Sequence, residues 1–447
     1  MGVVRRHLTV IRRTPRTFLI VIVLVGLVVR LAFWFLLIGF GPVGGGDEPG
    51  YHRLAVGLAE GRGFVNEAGD PTASRPPLYP ALLAAVYSAT ATDANAARAL
   101  QVLLGTCIVF LVCVLAERLF SPAVALLSAA LIAVNPALVY LSALIMTENV
   151  YTLLLLLFLI ALAPAFLDPP GSLRRFAGAG VLAGLCSLAR PTGLTVAFVT
   201  VAALLAVRGE SIGRRLVRGL VLLSVTCAVI LPWSLRNYER LGDWVGLTSH
   251  GGITFYESNC RLNYEVPEFR GTVVLPRRAV PGWEGLKELS ETELDRQSWK
   301  MGISFLRENP RTFVTMARWK FARFWRLRSD LGDVGARHLK EGKQRGVAAW
   351  LARHPDIFSL YWTAVLPLFL VGLFVTGRRY RRMLPLYAVI VAHVLTAIAF
   401  HGSLRARAPI EPLMSVYAAA GIAWLAGIPA GRRRIPVSYT HLRAHET

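Results

Sequence analysis

Long apolar runs constrain this chain more than any other feature of its sequence. The first runs from Phe18 to Phe40, and a helix needs roughly 20 apolar residues to cross the hydrocarbon core of a bilayer. About nine more runs follow, so the chain is predicted to be an all-α polytopic membrane protein with about ten transmembrane helices. The expected spans are residues 18–40, 96–116, 121–141, 149–167, 175–189, 193–207, 216–233, 357–376, 383–401 and 409–428. The first span is too long for a signal peptide, and we expect it to be retained.

The formal net charge of the chain, +22, is also explained by a membrane protein. A basic balance can indicate nucleic-acid binding, but in membrane proteins arginine and lysine collect in cytoplasmic loops. Ten spans place every short arginine-rich loop on one side, together with the basic N-terminus, and this side is predicted to be cytoplasmic. The loops concerned are residues 174–175, 208–218, 378–382 and 432–434. We therefore predict membrane lipids, and no nucleic acid, as partners.

This topology divides the chain into predicted parts. Residues 1–233 form an N-terminal transmembrane catalytic module whose first external loop covers 41–95. Residues 234–356 form a small external α-rich domain, and 357–434 form the C-terminal transmembrane helices. The tail 435–447 resembles a translated sequencing adapter and is predicted to be non-native.

Two helices are expected inside the external domain. Ser290 and Glu293 have capping-box spacing and predict a helix that ends near Asn309-Pro310. Residues 313–325 then alternate aromatic and basic side chains, a pattern typical of a helix lying on a lipid surface.

An acidic pair, Asp47-Glu48, follows the first span in this basic chain. Carboxylates beside lipid are costly, so they usually have a function or a partner. One interpretation is a helix cap, with Asp47 at the N-terminus of a helix running toward Ala59. The other is a general base that takes the proton of an attacking hydroxyl, with Glu48 in support and Tyr51 in the same motif.

Arginines on the predicted external side suggest an anionic ligand. Arg75 lies in a proline-rich stretch, residues 73–80, that is predicted to be a rigid loop without a regular helix. Its guanidinium suits phosphate oxygens. Arg190, Arg405 and Arg407 lie at external ends of spans, where they either reach to lipid headgroups or help to form a site for an anionic headgroup.

Glu148 opens the fourth span on the same face as Asp47. It either caps that helix or has a role in the site, where it could orient the acceptor or hold a divalent cation. No His/Cys cluster has the spacing of a zinc site. The sequence leaves open whether the protein requires a divalent cation.

These residues resemble the GT-C fold glycosyltransferases, in the branch of the protein O-mannosyltransferases and the lipid A aminoarabinose transferases. The resemblance covers nearly the whole chain before the tail. It is carried by Asp47 to Tyr51, Leu54-Ala55, Leu58, Gly61, Gly63, Arg75 to Pro80, Thr147-Glu148 with Tyr151, Leu188 to Pro191, Pro232 to Tyr238, Gly251-Gly252 and Arg405 to Pro412. Aminoarabinose transferases have lysine where this chain has Arg75, so lipid A is not implied.

The resemblance implies a bacterial plasma-membrane enzyme that takes a sugar from a polyprenyl-phosphate donor. Asp47 matches the position of the expected base, and Arg75 matches the residue associated with the donor phosphate. We predict an inverting transfer to a lipid, glycan or protein acceptor on the external face. Glu148, Arg190, Arg405 and Arg407 are expected to bind substrate. The alternatives are a flippase for lipid-linked sugars, which would need no base, and a non-catalytic scaffold.

Overall fold

The computed structural model describes residues 14–41, 43–44, 46–167, 172–206, 210–275, 277–327 and 357–429. The predicted non-native tail, the basic residues before position 14, the arginines 432–434 and the end of the predicted external domain lie outside these residues. Within the described residues the regular elements are helices, apart from one isolated antiparallel bridge between Val65 and Pro71. The predicted all-α class is confirmed.

Nineteen α-helices lie within the described residues and are numbered in chain order. The first ten are α1 (Arg16–Phe33), α2 (Glu48–Ala59), α3 (Leu78–Thr90), α4 (Ala94–Leu119), α5 (Pro122–Ala133), α6 (Pro136–Leu141), α7 (Glu148–Leu167), α8 (Leu173–Ala189), α9 (Thr192–Ala206) and α10 (Ile212–Leu241). The others are α11 (Gly251–Glu257), α12 (Arg261–Glu265), α13 (Trp283–Leu286), α14 (Glu291–Glu308), α15 (Pro310–Trp325), α16 (Ile357–Thr376), α17 (Tyr380–Ala399), α18 (Leu404–Arg407) and α19 (Glu411–Leu425).

Seven helical segments in the described ranges are long and apolar enough to cross a membrane, and shorter apolar helices accompany them. The seven are Arg16–Ile38, Ala94–Leu119, Glu148–Phe166, Ile212–Leu241, Ser359–Thr376, Tyr380–Ala399 and Leu404–Leu425. Large apolar side chains on their outer faces are exposed, Phe18 and Leu220 among them, as expected of surfaces that meet lipid. The chain is a multi-pass membrane protein.

One predicted span is divided. The run 121–141 forms α5 and α6, which are separated at Asn135, whose side chain accepts a hydrogen bond from the Leu138 backbone N–H. Pro136 occupies the first position of α6, where its missing N–H costs nothing. Buried Arg30 donates to the carbonyls of Ile132 and Ala133, so the end of α5 is satisfied inside the protein.

The predicted first external loop contains two helices, α2 and α3, which pack against each other. The prediction that residues 73–80 contain no regular helix is wrong for the last three of them, because α3 begins at Leu78. Pro80 lies in the first helical turn, where a backbone N–H has no intrahelical partner to lose. Residues 73–77 are irregular, as expected.

The segment after α10 has an apolar core of its own, formed by Tyr256, Cys260, Val274, Val280 and Leu286. The predicted helix α14 is confirmed: the Ser290 hydroxyl accepts a hydrogen bond from the Glu293 N–H, and the helix ends before Asn309. Helix α15 buries Met316, Lys320 and Phe324. It exposes Phe313, Val314 and Phe321, and its placement at a lipid surface stays a prediction.

Lys320 predicts an unusual dependence of stability on pH. Its buried ammonium donates to Asn259 Oδ1 (2.7 Å) and the Ala399 carbonyl (3.3 Å), and burial lowers its pKa to about 7. An unfolded lysine titrates near pH 10.4. Between these values the unfolded chain binds more protons, so stability should rise with pH by up to about 1.4 kcal/mol per unit.

We expect the melting temperature of the wild type, relative to that of Lys320→Met, to rise from about pH 7.5 to about pH 9.5. This range lies between the pKa values of the folded and the unfolded lysine. Thermal unfolding of both proteins in the same detergent measures this, because the other titrating groups cancel in the difference. Parallel curves for the two proteins would contradict a depressed lysine pKa.

Candidate active site

Asp47 lies at the start of α2, but its side chain makes no capping hydrogen bond. Its Oδ1 accepts from Arg75 Nη2 (2.6 Å) and its Oδ2 from Arg405 Nη1 (2.7 Å). The capping interpretation is therefore wrong for the Asp47 side chain. This one carboxylate joins the start of α2 and the loop that carries Arg75 to α18.

Glu148 extends the same network. It is the first residue of α7, where the helix dipole favours a carboxylate, and its side chain is fully buried. Its Oε1 accepts from Arg405 Nε at 2.7 Å and lies 2.8 Å from Arg190 Nη1. Arg405 thus bridges two carboxylates with different nitrogens of one guanidinium.

The five residues Arg75, Asp47, Arg405, Glu148 and Arg190 form a continuous ionic cluster, called the arginine cluster below. It holds three guanidinium groups and two carboxylates, so it carries a net positive charge. Asp47 and Arg75 remain partly exposed, whereas Glu148 is not. The arrangement suits an anion that approaches from the exposed side and takes guanidinium donors.

Tyr51 supports Arg75 from one helical turn after Asp47. The Arg75 guanidinium lies 5.3 Å from the centre of the Tyr51 ring, a cation–π geometry. The ring in turn contacts Tyr79 edge-on, with centroids 5.2 Å apart. These contacts hold Arg75 in position while part of it stays accessible.

Besides Tyr51, two residues predicted for the site lie outside the arginine cluster. Glu48 is buried, and its Oε2 accepts from the Ile145 backbone N–H (3.2 Å). Arg407 pairs with Glu411 Oε1 (3.1 Å) and donates to the Phe324 carbonyl. Glu48 therefore braces the segment that leads into α7, and Arg407 joins α15 to α19. The roles predicted for them, in support of the base and in substrate binding, stay predictions.

The irregular segment that carries Arg75 is held by Glu291, which no sequence motif indicated, and by Arg236, which lies in the resembling stretch Pro232 to Tyr238. Glu291 accepts from the Thr72 hydroxyl (2.6 Å), from the Ala73 N–H (2.8 Å) and from Ser249. Arg236 donates to the Thr72 carbonyl (2.7 Å). Glu291 looked like an ordinary first-turn acid of α14, and no local pattern in the sequence pairs it with a loop more than 200 positions earlier.

A second polar group lies in the segment after α10. His250 Nε2 lies 3.2 Å from Arg277 Nη2, and Arg277 Nε also pairs with Glu257. Burial lowers the pKa of His250 to about 3, helped by the charges of Arg75 and Arg277. The imidazole is therefore neutral at ordinary pH and adds no charge to the site.

The electrostatics of Asp47 follow from its partners. Burial raises the pKa of its carboxyl, but the charges of Arg405 and Arg75 outweigh burial and hold the pKa well below its usual range. Asp47 is therefore an ionised acceptor, and a weak base, for as long as both arginines bind it.

A divalent cation between Asp47 and Glu148 would have to replace Arg405, which lies between these carboxylates. Within the described ranges no group of three or more His, Cys, Asp or Glu side chains is placed to hold a metal ion. The donor set around Glu148 is cationic, and it fits an anionic ligand better than a metal.

Comparison with known proteins agrees with this architecture. Residues 74–234 match the sequence profile of the family described as dolichyl-phosphate-mannose-protein mannosyltransferase. No curated protein sequence is significantly similar to the chain.

Among solved structures, the fold matches the oligosaccharyltransferase AglB of Archaeoglobus fulgidus in complex with an inhibitory peptide and a dolichol-phosphate. The TM-score is 0.54 at 14% identity, over 92% of this chain and 50% of AglB. The apo form of that enzyme gives a TM-score of 0.55. This chain thus spans about half the length of AglB, and the likeness concerns the fold alone.

ArnT of Cupriavidus metallidurans bound to undecaprenyl phosphate aligns with 91% of this chain and 77% of its own, at 14% identity and a TM-score of 0.41. The family match over residues 74–234 and the AglB fold agree with the resemblance predicted from the sequence: the chain is a polytopic membrane protein with the fold of the GT-C glycosyltransferases.

Proposed function

We propose that this protein is a membrane glycosyltransferase that moves a sugar from a polyprenyl-phosphate donor to an acceptor hydroxyl on the external face, with inversion. The arginine cluster carries the proposal, because three guanidinium groups meet two carboxylates and leave a net positive, partly exposed site. The matched family is described by a dolichyl-phosphate-linked donor, and the AglB structure contains a dolichol-phosphate. Both support a polyprenyl phosphate as the ligand class.

The donor phosphate is expected to bind by competing with Asp47. Its oxygens can take hydrogen bonds from Arg75 and Arg405, which now bind the Asp47 carboxylate at 2.6 and 2.7 Å. As the arginines turn to the phosphate, the pKa of Asp47 should rise toward its ordinary value. Donor binding would in this way convert a stabilised carboxylate into a usable base.

In the transfer step the acceptor oxygen forms a bond to the anomeric carbon while the bond from that carbon to the phosphate oxygen breaks. The bonding electrons leave with the polyprenyl phosphate, and the acceptor proton goes to Asp47. Attack from the face opposite the leaving group inverts the anomeric centre. A phosphate leaves without much protonation, so one carboxylate suffices, unlike the acid–base pair of glycosidases.

Each arginine has a separate part in this scheme. Arg75 and Arg405 stabilise the charge that grows on the departing phosphate. Arg190 stays with the buried Glu148, and this pair fixes the position of Arg405. Tyr51 holds the guanidinium plane of Arg75.

The test is transfer in proteoliposomes that contain the purified protein, a polyprenyl-phosphate sugar with a radiolabelled hexose or pentose, and an extract of the cell envelope as acceptor. We expect a labelled product with a new glycosidic bond and an equal amount of free polyprenyl phosphate. Movement of labelled lipid across the bilayer without a new bond would instead identify a flippase.

A further inference from the structure

We infer that a groove in the external segment binds a glycan, and that this glycan is the acceptor of the transfer. The identity of the glycan as the acceptor rests on the proposed function, whereas the binding site rests on the geometry of the groove alone. The groove has a volume of about 830 Å³. It lies between α14 and the loop that follows α10, and we call it the α14 groove.

The lining of the α14 groove combines aromatic rings with many polar side chains. Two lining residues are tryptophans, Trp244 and Trp299. The other side chains used below are Asp243, Thr248, Thr292, Arg296, Gln297, Lys300 and Arg307. Ligand sites generally place a few polar groups around apolar surface; here polar side chains predominate.

Trp244 is 61% exposed, which is unusual for the largest side chain in a protein. It neighbours Tyr238, which is also more than half exposed, with ring centroids 6.3 Å apart. Trp299 is fixed from behind, stacked on Phe255 at 4.5 Å. Flat, rigid rings of this kind can cover the C–H face of a sugar ring while their edges stay near polar groups.

The polar side of the groove is ordered before any ligand binds. Asp243 accepts from the Thr292 hydroxyl (2.7 Å) and from Arg296 (2.8 Å), so its carboxylate is fixed at the rim. Gln297, Lys300 and Arg307 contribute amide, ammonium and guanidinium donors to the same surface. A ligand rich in hydroxyl groups, which donate and accept, matches such a mixed lining.

A peptide fits the α14 groove less well. Extended peptides usually add to the exposed edge of a sheet, and the described lining consists of a helix and an irregular loop. A helical peptide would need a row of apolar anchors, whereas most lining side chains here are polar. The observations therefore favour a glycan.

The groove is joined to the chain segment that immediately precedes Arg75. Thr248 lines the groove, and its hydroxyl donates to the Ser74 carbonyl (2.9 Å), one residue before Arg75. The next residue, Ser249, donates its N–H to the Ala73 carbonyl (3.0 Å). A glycan held at Thr248 would therefore lie beside the segment that presents Arg75 to Asp47.

The experiment uses the full chain in lipid nanodiscs on an array of tri- to hexasaccharides built from mannose, galactose, glucose, arabinose, rhamnose or N-acetylhexosamine. Dodecapeptides are printed on the same array. We expect at least one glycan to bind and Trp244→Ala to weaken that binding by about tenfold. Gln297→Ala should weaken it as well. Trp424→Ala removes another exposed tryptophan, at the end of α19 outside the groove, and should leave binding unchanged.

Three results would overturn the α14 groove as a glycan site: no glycan retained by the wild type, equal retention by Trp244→Ala, or retention of peptides alone. The proposed function fails separately, because it is measured by donor turnover. Glycan binding in a chain that consumes no donor would keep the groove and reject the transferase.

Discussion

Replacing Asp47 with asparagine is expected to lower the turnover number for sugar transfer by about 10³-fold, within the range for loss of a general base. The amide keeps the shape of the side chain but cannot take the acceptor proton. It also removes the negative charge that competes with the donor phosphate for Arg75 and Arg405. Donor affinity should therefore stay the same or increase while turnover collapses.

This combination separates a base from a residue that only positions the arginines. If Asp47 merely held Arg75 and Arg405 in place, its loss would raise the KM for the donor, and turnover at saturation would change little. Steady-state kinetics with the labelled donor gives both constants. Asp70→Asn is the matched control, because Asp70 is an exposed aspartate in the same loop. Near-normal turnover in a well-folded Asp47→Asn protein would rule out Asp47 as the base.

The sequence was sufficient to predict the class of fold. Apolar runs long enough to cross a membrane need no tertiary context, because lipid forces each segment to satisfy its own backbone. The sequence was less informative at Asn135-Pro136, where a run of adequate length is divided. The carbonyls freed there are satisfied by Arg30 from another helix, and a hydropathy pattern does not contain that long-range contact.

The candidate site was only partly predictable, for a related reason. Asp47, Arg75, Glu148, Arg190 and Arg405 were each conspicuous as charged residues near ends of apolar runs, and the structure places them in one cluster. The same argument also selected Glu48 and Arg407, which lie nearby in sequence and whose described hydrogen bonds reach the Ile145 N–H and Glu411. Sequence indicates that a charge needs a partner, whereas the direction of a side chain depends on how helices pack.

Arg405 is expected to have the largest combined effect on stability and activity, because it serves both carboxylates. In Arg405→Ala, Asp47 keeps Arg75, and the fully buried Glu148 keeps only Arg190. Removing one partner from a buried ion pair usually costs about 3–5 kcal/mol. Since Arg190 remains, we expect the free energy of unfolding to fall by about 2–3 kcal/mol. We expect the rate of sugar transfer to drop by about 10²–10³-fold, because the phosphate loses one guanidinium hydrogen-bond donor.

The double variant Arg405→Ala with Glu148→Gln separates these two effects. The neutral amide removes the uncompensated buried charge, so the melting temperature should recover most of the way to that of Glu148→Gln alone. Transfer should not recover, since the guanidinium that meets the phosphate is still absent. Arg405→Lys is the complementary test, because one ammonium cannot reproduce the Nε and Nη1 contacts that now reach two carboxylates at 2.7 Å each. If stability and transfer recovered together in the double variant, Arg405 would act only by neutralising Glu148, and its place at the departing phosphate would have to be abandoned.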